Sequence, residues 1–410
     1  MKWTLKVKNF GKIKEAEIHD SSLRFIVGDN NSGKSYLMTL LWGMKEIADS
    51  ANFFKPGFDL FASLINKIQY SQSLNNGEYE FRFCDYADII NRDVNLFLKN
   101  IKDEFVSRLF NFINIKIEEL SINFNFDEED KFIIRAEKDK FYGMYVNSII
   151  SMLFDMTSIY LPAARTGFML TKGIINKAGR RVAFGNEKNQ YEPFIMPILE
   201  FLDIMESVKS DIKSDNQYEK ICSLIEKEML QGILFVSDTL NNEVIYVPDL
   251  TRDRLPLRAV SAVVTEMSPL YLLLKNKSDF FNFDFICYEE PEMCLHPQLQ
   301  QMMARILIRL ANAGVNITAT THSDIIIQHV NNMIKLGNNS NRDELMSKYG
   351  YEKEDLIKDL DIAMYQFVEN GDGTTSLEEL KRGKYGFAVP TFNDALDKIL
   401  EEVYDFQEGE

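Results

Sequence analysis

The residues best suited to chemistry form a short loop at 28–35, with the sequence GDNNSGKS. The loop matches the pattern G-x-x-x-x-G-K-[ST] through Gly28, Gly33, Lys34 and Ser35. In this pattern the backbone N–H groups surround phosphate oxygens, the lysine contacts the β- and γ-phosphates, and the hydroxyl holds Mg²⁺. The same residues also fit a polar turn between a strand and a helix, so the flanking sequence has to decide.

The flanking sequence favours a phosphate-binding loop. An apolar run at 23–27 predicts a buried strand before the loop. After the loop, apolar residues recur at the spacing of one helix face: Leu37, Leu40, Leu41, Met44 and Ile47. The start of a helix favours a bound anion. We therefore predict a nucleoside triphosphate site whose binding residues are Gly28, Asn30, Asn31, Ser32, Gly33, Lys34 and Ser35, with Lys34 also contributing to catalysis.

Two consecutive carboxylates, Glu289 and Glu290, end a second apolar run that begins at residue 283. Phosphoryl transfer at a loop of this kind needs an acid that holds the metal ion and a group that orients the attacking water. We predict that Glu289 holds Mg²⁺ together with Ser35, and that Glu290 polarises the water as the catalytic base. Taken alone, the pattern also fits an edge strand that ends in an acidic turn.

A histidine follows the next predicted strand, which covers residues 315–320. We expect this strand to lie beside the acid strand, with a helix between them in the chain. From the strand end, His322 would hydrogen-bond the γ-phosphate and sense its loss. A packed or helix-capping histidine is the structural alternative. We assign His329, seven residues further on, a structural role.

Three motifs in this order resemble those of the ABC/SMC-like ATPases: GDNNSGKS, YEEPEMCLHP and TTHSD. The resemblance is closer to the prokaryotic AAA family related to RecF-type and OLD-type ATPases, here without a Toprim domain. The opening residues 6–18 and the segment YLPAAR at 160–165 also resemble that branch. The resemblance implies an α/β fold, an ATPase head with a mixed sheet flanked by helices. It also implies ATP and Mg²⁺ as cofactors.

Two positions depart from the family pattern. Glu289 stands where these ATPases usually have aspartate, and its longer side chain is expected to slow hydrolysis. The signature motif, usually Ser-Gly at a helix start, is present as Val-Ser-Ala-Val at 260–263. The resemblance implies that Ser261 contacts the γ-phosphate bound by a second subunit, and Ala262 in place of glycine leaves that contact open.

The 410 residues have room for two or three domains, or for one large domain with an inserted lobe. We predict an ATPase domain formed by 1–47 and 157–410, interrupted by an inserted, mainly helical lobe at 48–156. Within the lobe, 121–126 and 132–136 predict a pair of strands joined by an acidic turn.

Three further patterns concern the second half of the chain. Runs at 233–236 and 244–247 predict a hairpin. A strand at 362–368 and a last helix are expected to complete the sheet. The sequence Asp-Leu-Asp at 359–361 mimics part of a Toprim metal site, but too little chain remains for that domain, so no nuclease chemistry is predicted.

Charge and cysteine usage narrow the class of protein. The net charge of −16 disfavours general binding to nucleic acid, and the basic stretch at 172–181 is expected to be a solvated loop. None of the four cysteines forms a C-x-x-C pair, which argues against zinc. With no signal-peptide pattern and no long apolar stretch, we expect a cytoplasmic protein that does not contact a membrane.

The resemblance also implies partners. It favours a homodimer, or a higher homo-oligomer, in which ATP is held between two heads. We expect a molecular switch that serves as the ATPase component of an anti-phage defence system and controls a separate effector, a nuclease or a toxin. Two alternatives stay open: a DNA-repair or genome-maintenance ATPase that binds DNA, and a slowly hydrolysing scaffold that ATP assembles.

Overall fold

The computed structural model of the chain describes residues 1–47, 77–111, 115–136, 153–154, 157–172, 194–208, 218–237, 243–276, 283–357, 360–390 and 400–406. The strands are β1 (Lys2–Phe10), β2 (Ile13–His19), β3 (Leu23–Val27), β4 (Gly77–Arg82), β5 (Ile117–Asn125), β6 (Lys131–Ala136), β7 (Ser158–Leu161), β8 (Gly232–Ser237), β9 (Glu243–Pro248), β10 (Leu255–Pro256), β11 (Phe285–Glu289), β12 (Asn316–Thr320), β13 (Ile362–Glu369) and β14 (Thr375–Glu379).

The helices are α1 (Lys34–Gly43), α2 (Ala87–Phe110), α3 (Met196–Ser207), α4 (Glu219–Leu224), α5 (Ala262–Asn276), α6 (Pro297–Asn312), α7 (Asp324–Gly337) and α8 (Arg342–Tyr349). Residues 165–172 and 400–406 are also helical. A π-helical turn, Ile225–Leu230, continues α4. None of the helices in these segments has the length and apolar character that a bilayer crossing requires.

Nine strands form one mixed sheet in the order β5-β1-β2-β14-β13-β3-β12-β11-β7. The strands from β13 to β7 run parallel to one another. In a parallel sheet, the carboxyl ends of the strands meet at one edge, where ligands usually bind. The α/β fold with a mixed sheet and flanking helices is confirmed.

Burial on both faces explains why the parallel strands are apolar almost throughout. In β3 every side chain is buried, and successive residues point to opposite faces. Phe25 belongs to the core cluster that packs against α5, α6 and α7, whereas Ile26 belongs to the cluster that packs against α1 and α2. Helices therefore cover both faces, as parallel sheets require.

The region predicted as an inserted lobe contributes to the main sheet. β5 pairs with β1 in antiparallel register, and α2 packs in the same core cluster as α1. The predicted pairing of 121–126 with 132–136 is wrong: β6 pairs with β4 in a separate two-stranded sheet. The alternating buried residues of β5 complete the apolar face beside β1, which a local hairpin with β6 would leave uncovered. The domain boundaries at 47 and 157 stay a prediction.

In the second half of the chain, several of the predicted strands are present. β8 and β9 pair in antiparallel register, which confirms the strands of the predicted hairpin. The predicted strand at 362–368 is β13, but it lies inside the sheet between β14 and β3. Asp361 bonds the Lys2 ammonium rather than joining a cluster of acids. Most of the basic stretch, 173–181, and Asp359 lie outside the described residues.

His329 in α7 packs against a buried ionic cluster. Arg305 and Arg309 of α6 both donate to the Asp355 carboxylate at 2.7–3.1 Å. Burial alone would raise the pKa of Asp355, but these hydrogen bonds lower it to about 2. Burial, together with the Arg305 charge, lowers the pKa of His329 to about 4. His329 is therefore a neutral, structural residue beside Tyr351, as predicted.

Protonation of His329 should make the fold sensitive to mild acid. An unfolded histidine titrates near 6.5, so the unfolded chain binds more protons as the pH falls from 6.5 towards 4, and stability falls with it. Between pH 7 and pH 5 we expect a loss of about 2 kcal/mol from this residue. In urea titrations, His329→Gln should remove that loss. An equal acid-induced loss in both proteins would contradict the assignment.

Candidate functional site

The loop at 28–35 depends on its two glycines. Gly28 and Gly33 have φ angles of +148° and +108°, which side chains rarely adopt. A Cβ atom at Gly28 would lie 2.8 Å from the Phe367 Cβ, and one at Gly33 would lie 2.6 Å from the Ile13 Cγ1. The C-terminal strands also fix the loop, because the Thr375 hydroxyl donates to the Ser32 carbonyl at 2.6 Å. The positions of Gly28 and Gly33 therefore require glycine.

Lys34 holds its ammonium group against this loop. Its Nζ donates to the carbonyls of Gly28 (2.9 Å) and Asp29 (2.8 Å). Burial lowers the pKa of Lys34, and the nearby carboxylates of Glu290 and Asp29 act in the opposite direction. An anionic phosphate near the ammonium would offset the cost of burying this charge.

The residues present fit a bound phosphate and Mg²⁺. The Ser32 hydroxyl is buried and has no hydrogen-bond partner in the described part of the chain. Ser35, the next hydroxyl, is exposed at the start of α1. The described residues contain no cluster of three metal-ligating side chains. Magnesium tolerates such a sparse site, because phosphate and water oxygens complete its coordination. Ser35 and Glu289 would hold the ion.

The two predicted acids end β11 in different environments. Glu289 is buried, and its Oε2 accepts from the Ala163 backbone N–H at 3.3 Å. Burial, with Glu289 nearby, raises the pKa of the Tyr160 hydroxyl well above its usual value. Glu290 is half-buried and has a φ of +43°, in the left-handed region. β11 ends at Glu289, so Glu290 lies just beyond the strand.

His322 follows β12, the strand that pairs with β11 in parallel register. Burial and the neighbouring Lys34 ammonium lower the pKa of His322, while Glu290 and Asp29 act in the opposite direction. The electrostatic neighbours of His322 are therefore the predicted catalytic residues and the loop. A neutral imidazole can donate or accept one hydrogen bond at the site.

Glu292 is a further acid at the site that was not predicted. Its Oε1 accepts from the His322 backbone N–H at 2.6 Å, and burial raises its pKa. Glu292 therefore links the acid strand to the histidine turn. Glu292 lies within the motif YEEPEMCLHP, so the sequence did indicate that it is near the site. Its role could not be predicted, because two other acids lie close to it in the sequence.

Ser261 is not brought to the loop of its own chain by any described hydrogen bond. It is exposed immediately before α5, and its carbonyl accepts from the Thr265 backbone N–H at 3.2 Å. The predicted site residues thus fall into two groups. Lys34, Glu289, Glu290 and His322 lie together at the ends of β3, β11 and β12, whereas no hydrogen bond or ion pair among the described residues joins Ser261 to them.

Part of the chain that carries the site resembles a known protein family. Residues 198–327 match the model of the AAA ATPase domain. This segment includes Ser261, both acids and His322. It begins after the glycine loop at 28–35. This segment is therefore similar to the AAA ATPase domain. No curated protein matches the sequence of the chain.

Solved structures of SMC heads align over most of the chain. A head bound to the C-terminal winged-helix domain of ScpA has 14% identity and a TM-score of 0.41, over 93% of this chain and 98% of the other. The head from Thermotoga maritima has 11% identity and a TM-score of 0.36, over 92% of this chain and 98% of the other. The head from Pyrococcus furiosus, bound to the C-terminal domain of ScpA, has 13% identity and a TM-score of 0.38, over 98% of this chain and 100% of the other. Because these scores are low, the fold assignment depends on the strand order and the loop.

Loss of the Lys34 charge should weaken nucleotide binding. Lys34→Ala removes the cation that faces the phosphates, and we expect a loss of about 3 kcal/mol, or roughly a hundredfold in Kd for ATP. Isothermal titration would measure it. Lys335→Ala, which removes an exposed lysine of α7, is the control. Equal ATP affinity in the two variants would show that the loop does not bind the β- and γ-phosphates.

Proposed function

We propose that the protein binds and hydrolyses ATP and acts as an ABC/SMC-like switch related to the RecF and OLD ATPases. The observation that supports this best is the convergence of Lys34, Glu290 and His322 beside a glycine loop. These residues come from three different strand ends, and each has the chemistry that one step of phosphoryl transfer needs. If these charged residues had only a structural role, they would not need a loop with the glycine conformations seen at 28–35.

In the proposed reaction, a water oxygen attacks the γ-phosphorus, and the bond from that phosphorus to the β,γ-bridging oxygen breaks. Glu290 orients the water and accepts its proton. Lys34 offsets the negative charge on the phosphate oxygens, and neutral His322 hydrogen-bonds the γ-phosphate. When bound, Mg²⁺ supplies charge neutralisation at the phosphate oxygens. Glu289, held by the Ala163 N–H, keeps its carboxylate at the end of β11 to hold the ion.

We propose that two heads share each nucleotide. Ser261 then contacts the γ-phosphate held by the other subunit, which accounts for an exposed serine at the start of an apolar helix. The charge distribution supports dependence on nucleotide, because two chains of net charge −16 repel each other at faces that carry Glu289 and Glu290. Magnesium and Lys34 reduce that repulsion once ATP is bound.

We further propose that the switch belongs to an anti-phage defence system and controls a separate nuclease or toxin. The support is the family resemblance together with the acidic charge, which disfavours nucleic acid as the main ligand. DNA binding, and DNA-stimulated turnover, would instead favour a repair ATPase. A specific feature favours a slow scaffold as the second candidate: the longer Glu289 stands where aspartate is usual.

Removal of the base should separate binding from turnover. Glu290→Gln keeps the size of the side chain but cannot accept a proton, so we expect unchanged ATP affinity and turnover lower by about a hundredfold or more. Phosphate release and ATP titration would measure the two quantities. Glu344→Gln, in α8, is the control. Normal turnover in Glu290→Gln would exclude Glu290 as the base and leave Glu289 to be tested.

A bulky residue at position 261 should prevent the two heads from closing on the nucleotide, without affecting the glycine loop of either chain. Ser261→Arg is expected to lower turnover by about tenfold or more, because the site loses the geometry that the second subunit completes. ATP binding to the single chain should not change. Ser347→Arg introduces the same side chain at an exposed position of α8 and serves as the control. Full turnover in Ser261→Arg would refute the shared site.

A further inference from the structure

A buried arginine lies behind the acid strand and takes no part in the proposed reaction. Arg165 follows β7, and its side chain is fully buried. Its Nη1 donates to the carbonyls of Pro162 (2.7 Å) and Glu289 (2.6 Å), and its Nη2 donates to the Glu290 carbonyl (3.0 Å). The guanidinium also lies over the Tyr288 ring, 4.7 Å from its centroid. One rigid group therefore contacts three consecutive residues at the end of β11.

These contacts fix the unusual backbone of Glu290. A glutamate at a φ of +43° is strained and persists only if its neighbours hold it. Its N–H donates to the Thr320 carbonyl at 3.0 Å, and its own carbonyl accepts from Arg165. The peptide groups on both sides of its Cα are thus held, one by β12 and one by Arg165. The direction of the Glu290 side chain follows from these two restraints.

Arg165 is tied in turn to the helix that Ser261 precedes. Its Nη2 lies 2.7 Å from the Oε1 of Glu266, and both side chains are buried. The other oxygen of Glu266 accepts from the backbone N–H (2.9 Å) and the hydroxyl (2.6 Å) of Thr166. Glu266 lies in the second turn of α5, four residues after Ala262. A buried ion pair of this kind separates only at high cost, so α5 and Arg165 should move together.

We propose that Arg165 is a positioning residue that couples α5 to the backbone of Glu290. The proposal rests on the proposed function, because Glu290 has to be the base and Ser261 the contact with the second subunit. A second head that presses on Ser261 would shift α5 and Glu266. The guanidinium would transmit that shift to the Glu290 carbonyl and so reorient the carboxylate. Closure of the dimer would thereby control hydrolysis.

The coupling can be tested with conservative changes at both ends of the ion pair. Glu266→Gln keeps the shape and removes the charge, and Arg165→Lys keeps the charge and removes the planar fork. We expect turnover to fall by about tenfold or more in each variant, as for other partners that orient a reactive group. ATP affinity should stay unchanged. Arg309→Lys weakens another buried arginine–carboxylate cluster and should leave turnover unchanged.

A double substitution separates positioning from general damage to the fold. If Arg165 acts through Glu290, then Arg165→Lys has no further effect on turnover once Glu290 is Gln. If the effects of Arg165→Lys and Glu290→Gln on turnover multiply in the double variant, the proposal is overturned. Normal turnover in Glu266→Gln would also overturn it. Normal turnover in Glu290→Gln itself would instead refute the role of Glu290 as the base in the proposed function, so the two failures can be told apart.

Hydrogen exchange supplies a readout that needs no turnover. We expect a non-hydrolysable ATP analogue to protect the amides of residues 285–295 in the unmodified protein. That protection should be lost in Glu266→Gln and kept in Arg309→Lys. Equal protection in all three proteins would overturn the coupling, even if the Arg165 variant did not fold.

Discussion

The burial of five parallel strands on both faces is the constraint on which the site depends. Such strands can carry almost no charge along their length, so the polar residues of the chain are placed where the strands end. Because β3, β11 and β12 are neighbours in register, Val27, Glu289 and Thr320 end at the same edge. The glycine loop, the acids and the histidine turn therefore lie close together in the fold, although they are far apart in the sequence.

The charges at this edge stabilise one another only in combination. Lys34 is buried beside carboxylates, and Arg165 is buried against Glu266. Removal of one partner would leave an unpaired charge in a poorly solvated place, which is costly. This arrangement makes the site stiff, and it explains how a strained residue such as Glu290 can persist. It also means that nucleotide, which adds phosphate charge beside Lys34, changes the balance for the whole edge.

Local patterns predicted the elements of the site but not all of their partners. The apolar runs ending in Glu290 and before His322 were sufficient to predict β11 and β12, because buried strands and polar ends leave a clear signal. Arg165 bonds the Glu289 carbonyl across 124 positions of sequence, and nothing in either segment specifies that pairing. β14 was missed because its short, mostly polar sequence resembles a turn. β13 was predicted as a strand, but its parallel pairing with β3 was not, because no local pattern specifies which strand it pairs with.

Subunit mixing tests directly whether one nucleotide site needs both chains. Lys34→Ala and Ser261→Asp each spoil a different half of the site, the second by placing a carboxylate against the γ-phosphate. A mixed dimer would keep one intact site, from the loop of one chain and Ser261 of the other. With random pairing, a one-to-one mixture of the inactive variants should regain about a quarter of the unmodified activity. If the mixture stays as inactive as its components, the two intact halves do not combine across the dimer and the shared site is wrong.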